Sequence, residues 1–204
     1  MWTFGAYMIE RIKLAKFNGI PCENLYGDLC YITREMFKDV IDLFNRVNST
    51  MDNKNWLKFR DESYLQNVID RGGFIIGCYV DETLVASALC ESPDLEYTSY
   101  LVEMGLTASQ IEATYVSGYV MVDPLYRGNS LHRVLVEARI DASIDRDMKF
   151  IVTAIACENI FSLKTVLNLG FEIMLHKENE YGIVRNILLK NLASEMMEEA
   201  EITA

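Results

Sequence analysis

Residues 114–157 constrain the fold more than any other part of the chain. "TYVSGYVMV" has the pattern of a strand, residues 131–142 that of an amphipathic helix, and "FIVTAIAC" is a continuously apolar, β-branched strand. A run of that last kind belongs in a sheet covered on both faces. Two strands joined through a helix lie parallel, with a right-handed crossover. On the intervening helix Leu131, Val134, Leu135, Ala138 and Ala142 share one apolar face, which leaves Arg133, Glu137 and Arg139 to solvent.

The flanking segments fit the same class. Phe37, Val40, Ile41 and Phe44 recur at helical spacing, and a second helix over 61–70 stops at Gly72–Gly73. Residues 74–80 and 84–90 read as a hairpin around Asp81-Glu82-Thr83, and a short helix over 160–169 precedes a last hairpin around 177–180. The order is strand, two helices, three strands, helix, strand, helix, two strands, which implies an α/β fold with a mixed central β-sheet flanked by helices. Residues 1–27 stand apart as an N-terminal extension, with a short helix expected from Ile9, Ile12, Leu14 and Phe17 and ended near Gly19 and Pro21. The main domain spans 28–190, and 191–204 is an acidic tail. Residues 91–113 read as a long polar-aromatic connection, either lining a site or a solvated loop, with a capping box at Thr107 and Gln110 that starts a helix.

At 204 residues the chain forms a sizeable core without metal or disulfide support, and its net charge of −11 argues against a nucleic-acid partner. An anionic ligand must therefore be held locally, by backbone amides and a few cations. The five cysteines, Cys22, Cys30, Cys78, Cys90 and Cys157, form no C-x-x-C pair. They read as free thiols in a reducing compartment, with Cys78, Cys90 and Cys157 buried in strands. The first residues lack the apolar core and cleavage site of a signal peptide. No apolar run reaches the roughly 20 residues needed to span a bilayer. The expected location is the cytoplasm, with no membrane partner and no metal; His132 covers a helix start and His176 lies in a late strand.

Function turns on "VDPLYRGNSLHRVL", residues 122–135, a strand end running through a tight turn into a helix. The first N–H groups of such a helix have no intrahelical acceptors, so with the helix dipole they make an anion site. Arg127 adds a cation, and Gly128 lets the backbone approach a ligand. From spacing alone, simple capping of the helix by Asn129 and Ser130 explains the turn at least as well.

"VMVDPLYRGNSLHRVLV" resembles the acetyl-CoA loop of the GNAT N-acetyltransferase family, V-x-P-x-Y-R-G-x-G-x-G/A-x-x-L. Val122, Pro124, Tyr126, Arg127, Gly128, Asn129, Leu131 and Leu135 stand in register with it. "NIFSLKTVLNLGF" matches a second family element through Asn159, Ser162, Gly170 and Phe171. The resemblance covers about residues 28–190. It implies a GNAT-like sheet whose parallel strands 4 and 5, here 114–122 and 149–157, splay to admit acetyl-CoA as co-substrate. By position, Arg127, Gly128, Asn129, Ser130, Leu131 and His132 would hold the pyrophosphate. The backbone of Val120, Met121 and Val122 would meet the pantetheine arm, and Asn159 and Ser162 would line it.

The implied activity is direct acetyl transfer to a primary amine of a small molecule, amino acid or peptide. The alternative is a catalytically weak acyl-CoA-binding or interaction module. Dimers through the last strands occur in the family, which makes a homodimer an expectation here. Ser130 and His132 stand where the family usually has small residues, and Val166 stands where many members carry a proton-donating Tyr. Substitute acid–base candidates are Tyr181, read as the start of the final strand, Tyr119 and Glu103. Tyr115 and Glu112 are weaker ones, and Cys157 reads as a buried hydrophobe rather than a nucleophile.

Overall fold

The computed structural model describes residues 8–51, 53–57, 61–179 and 181–193. Residues 194–204, most of the expected acidic tail, and the first seven residues lie outside them. The strands are β1 (Met8–Phe17), β2 (Ile20–Tyr31), β3 (Phe74–Val80), β4 (Thr83–Glu91), β5 (Thr114–Val122), β6 (Phe150–Ala156), β7 (Glu172–Glu178) and β8 (Val184–Asn191). The helices are α1 (Phe37–Ser49), α2 (Glu62–Asp70), α3 (Leu95–Glu103), α4 (Ala108–Glu112), α5 (Leu131–Ile144) and α6 (Ile160–Leu167). The eight strands form one mixed sheet, ordered β1-β2-β3-β4-β5-β6-β8-β7. The α/β class, the sheet flanked by helices and the parallel β5–β6 pair are as the sequence implies.

By its contacts the chain forms two compact units, Met1–Leu89 with Tyr119–Leu135, and Cys90–Gly118 with Val136–Ala204. In the first unit, Phe37, Val40, Leu43, Phe44 and Val47 line the buried face of α1 and pack with Ile75, Leu84, Leu89 and Met121. Burying each such side chain stabilises the fold by about 1.5–3 kcal/mol. Asp61 caps α2 by accepting from the Tyr64 amide. β3 is buried along its whole length, as a central strand covered on both faces must be.

The expected N-terminal helix is instead β1. The apolar spacing over residues 9–17 resembles one turn of helix after another, but Asn18-Gly19 is the stronger signal. Both residues adopt positive φ, 49° and 74°, the requirement of a type I′ hairpin turn. β1 folds back antiparallel on β2, and β2 pairs with β3.

In the second unit, Tyr100, Leu101, Val116, Val152 and Ile187 make a core. Besides α4, the helix expected behind Thr107, the segment 91–113 carries one that was not expected, α3, capped by Asp94 on the Tyr97 amide. The Thr107–Gln110 capping box is present as expected, both halves formed. Arg139, expected in solvent, is fully buried at 1% exposure; the helical face that holds Val136, Ile140 and Ser143 is wider than the apolar stripe suggests. No helix among the described residues is long and apolar enough to cross a membrane.

Candidate active site

The loop after β5 is fixed at its first residue. Asp123 is buried, and its amide donates to the Val85 carbonyl at 2.8 Å. Its carboxylate accepts from the Leu125 amide (3.0 Å) and from Arg46 Nε (2.7 Å), while Arg46 Nη2 reaches the Leu84 carbonyl (2.6 Å). Sequence reading missed both residues; for Asp123 the Asp-Pro pair, a side-chain cap followed by a ring with preset φ, was the available signal, and for Arg46, 77 residues away, there was none. Pro124–Tyr126 then make one 3-10 turn. Burial, and next the Asp123 carboxylate, raise the Tyr126 phenol above its usual range, so it stays neutral.

Past Tyr126 the backbone alternates. Arg127 is extended, Gly128 lies at φ 83° and Ser130 at φ 58°. Ser130 thus takes a left-handed conformation that glycine adopts without strain. α5 follows at once, and its first bond runs from the Val134 amide to the Ser130 carbonyl at 3.0 Å. The amides of Ser130 and Leu131 have no acceptor among the described residues. Arg127 is exposed and in no ion pair among those residues.

Asn129 does not cap the helix. Its Oδ1 accepts from the amides of Ala15 (2.7 Å) and Lys16 (2.9 Å), and its Nδ2 donates to the carbonyls of Lys16 (2.8 Å) and Tyr126 (2.9 Å). Phe17 packs edge-on against Tyr126 at 5.3 Å, and the Asn18 amide donates to the Leu125 carbonyl at 2.6 Å. In a regular strand, successive N–H groups point to opposite edges. The β1–β2 register shifts between Leu14 and Lys16, where Ala15 and Lys16 turn both amides to the one oxygen.

Of the strand residues, Met121 is buried in the first unit's core, and Val120 and Val122 are half-buried. The Tyr119 hydroxyl lies 3.4 Å from Ser87 Oγ. β5 pairs with β6 from Thr114–Phe150 to Val116–Val152. One residue on, the Ser117 carbonyl accepts from Thr153 Oγ1 at 3.0 Å, so a side chain takes the place of a ladder amide.

In the second unit Asn159 caps α6, its Oδ1 accepting from the Ser162 amide at 3.3 Å. Val166 is buried at 4% exposure. Glu103 ends α3 and pairs with Lys177 of β7 at 2.6 Å. Tyr181 does not begin the last strand: it lies in the β7–β8 turn, 58% exposed, its amide donating to Asn179 Oδ1. Cys157 is exposed rather than buried, because β6 ends at Ala156. Tyr115 is buried, Glu112 exposed.

No family model matches the sequence, and no curated protein matches it. Solved structures do. An N-acetyltransferase from Staphylococcus aureus Mu50 superposes with a TM-score of 0.66 at 13% identity, covering 83% of this chain and 99% of that one. A putative acetyltransferase from Salmonella typhimurium, determined with its cofactor acetyl-CoA, gives 0.63 at 13% identity over 81% and 94%. An acetyltransferase of the GNAT family from Streptococcus pneumoniae gives 0.63 at 11% over 81% and 98%. Taken with the parallel β5–β6 pair and the turn into α5, these superpositions show that the chain has the GNAT acetyltransferase fold.

Proposed function

We propose that the protein is an acetyl-CoA-dependent N-acetyltransferase acting on a primary amine. The observation that carries this reading is the turn at 127–132. Its sequence is in register with the family's cofactor loop, and its Ser130 and Leu131 amides lack acceptors where a pyrophosphate would need donors. Bound there, acetyl-CoA supplies a thioester for direct transfer. The amides of Gly128 through His132 hold the pyrophosphate, with Arg127 as a cation. The backbone of Val120, Met121 and Val122 lies against the pantetheine arm in the manner of an added strand. A neutral amine would form the N–C bond as the thioester C–S bond breaks, CoA leaving as the thiol with the proton the amine gives up. Backbone amides of the strand would stabilise the charge on the carbonyl oxygen. The net charge of −11 favours a cationic amine among small molecules, amino acids and peptides.

A second reading, an acyl-CoA-binding module with little turnover, rests on the acid–base candidates. Val166 is an aliphatic side chain in the core, Glu103 is engaged by Lys177 and Tyr119 contacts Ser87. A missing general base costs about 10²–10⁴-fold, which slows transfer without abolishing it. Titration calorimetry with acetyl-CoA and with free CoA tests the shared premise; saturable binding is expected, abolished in Gly128→Trp with the melting transition retained. Thiol release across polyamines, amino acids and peptides then separates the two readings. Binding without release for any amine favours the module, and no binding at all sinks both.

A further inference from the structure

The geometry points to Lys16, on the N-terminal hairpin, as a phosphate-binding residue of the cofactor site, with Asn129 as the residue that positions it. This rests on the acetyl-CoA reading of the loop. Lys16 is clamped from both backbone sides, its amide donating to Asn129 Oδ1 at 2.9 Å and its carbonyl accepting from Asn129 Nδ2 at 2.8 Å. The Lys16 stem then passes over the loop: its Cδ lies 3.6 Å from where a Cβ on Gly128 would stand. Gly128 has no Cβ, and the side that glycine leaves open is where a pyrophosphate would come in. The ammonium is one methylene beyond that Cδ, exposed and in no ion pair among the described residues.

Electrostatics give this cation weight. A polyanionic ligand approaching a chain of net charge −11 is repelled at long range. Orphan amides alone offer partial charges, while an ammonium makes a charge-assisted bond roughly twice as strong as a neutral one. The hairpin therefore does for this loop what added glycines do not: it brings a full positive charge to the anion. The Asn129 clamp holds the strand that carries it, and Phe17 on Tyr126 and Asn18 on Leu125 fix the same corner.

The test is calorimetric binding of acetyl-CoA, and of dephospho-CoA, to the full chain and its Lys16→Met, Lys16→Ala and Asn129→Ala variants, with melting curves as the folding control. Lys16→Met keeps the stem and removes the charge. It is expected to weaken both ligands about tenfold and to flatten the salt dependence by about one ion. Asn129→Ala should weaken binding in the wild-type background and add little to Lys16→Met, because positioning matters only while the charge is there. Unchanged affinity in Lys16→Met, with wild type binding well, overturns the assignment and leaves the loop reading intact. Tighter binding in that variant overturns it too, since the stem then covers the loop instead of serving it. A loss confined to acetyl-CoA and absent with dephospho-CoA places the lysine at the other phosphate and overturns the pyrophosphate contact. Failure of wild type to bind acetyl-CoA removes the loop reading itself.

Discussion

Asp123 shows how one side chain can decide where a loop begins and which way it runs. Its carboxylate accepts from Leu125 and from Arg46, and its own amide is tied to Val85, so the chain leaves β5 in a single direction. Asp123→Asn tests this sparingly. The amide oxygen can still accept from Leu125, but the charge-assisted bond to Arg46 is lost. Arg46 is 40% exposed, so solvent screens the pair and the cost falls to about 1–2 kcal/mol rather than that of a fully buried ion pair. Urea denaturation measures it; a change within a few tenths would mean the aspartate acts as a turn former and its charge does nothing. Neither this pair nor the Asn129 clamp was legible in the sequence, because partners 77 and 113 residues apart leave no local pattern. What was legible at this scale was the tight strand-to-helix turn from Arg127 to His132, since a turn is read from neighbours in sequence.

At the level of elements, most strands and helices could be read from periodicity, and the failures share a cause. β1 carries Ile9, Ile12 and Leu14 at spacings compatible with a helix, and only its pairing to β2 makes it a strand. α3 was hidden because its buried stripe is narrow: Tyr100 and Leu101 are buried while Leu95 and Val102 are exposed. Its Asp94 cap was the available sign. Arg139 was misplaced for the opposite reason, a charge on a face that the apolar pattern does not extend to. The β1–β2 hairpin depends on Asn18-Gly19, where a residue with a Cβ at φ 74° is strained. Gly19→Ala should therefore destabilise the hairpin by about 1–2 kcal/mol, even though no atom lies within 4 Å of the added methyl. Amide exchange would show faster opening across β1 ahead of global unfolding; uniform protection in wild type and variant alike would mean the turn type is not what holds the hairpin.

Across the whole molecule, buried acids set the response to alkali. Desolvation raises the Cys30 thiol to about 11, the Cys78 thiol to about 12 and the Cys90 thiol to about 11, against an ordinary 9.0. The phenols of Tyr79, Tyr97 and Tyr100 are raised in the same direction, again by burial first. Each of these groups is harder to ionise folded than unfolded. Below about pH 9 the thiols are protonated in both states and their contribution to stability is complete. As pH rises past the unfolded value, the unfolded chain loses protons that the native one keeps, and stability falls by up to about 1.4 kcal/mol per thiol per pH unit. That loss continues until the folded values near 11 and 12 are reached. Cys157, exposed at the end of β6, and the half-exposed Cys22 stand apart from this buried set. Two measurements check the account together. A thiol reagent at neutral pH should titrate two cysteines quickly and the other three only on unfolding. Urea unfolding under reducing conditions should show stability dropping steeply from about pH 9 to about pH 10.5, with a shallower slope in Cys78→Ala once its lower starting stability is subtracted. A flat profile over that range would mean that the three thiols ionise as readily in the fold as outside it, and that the strands around them admit water.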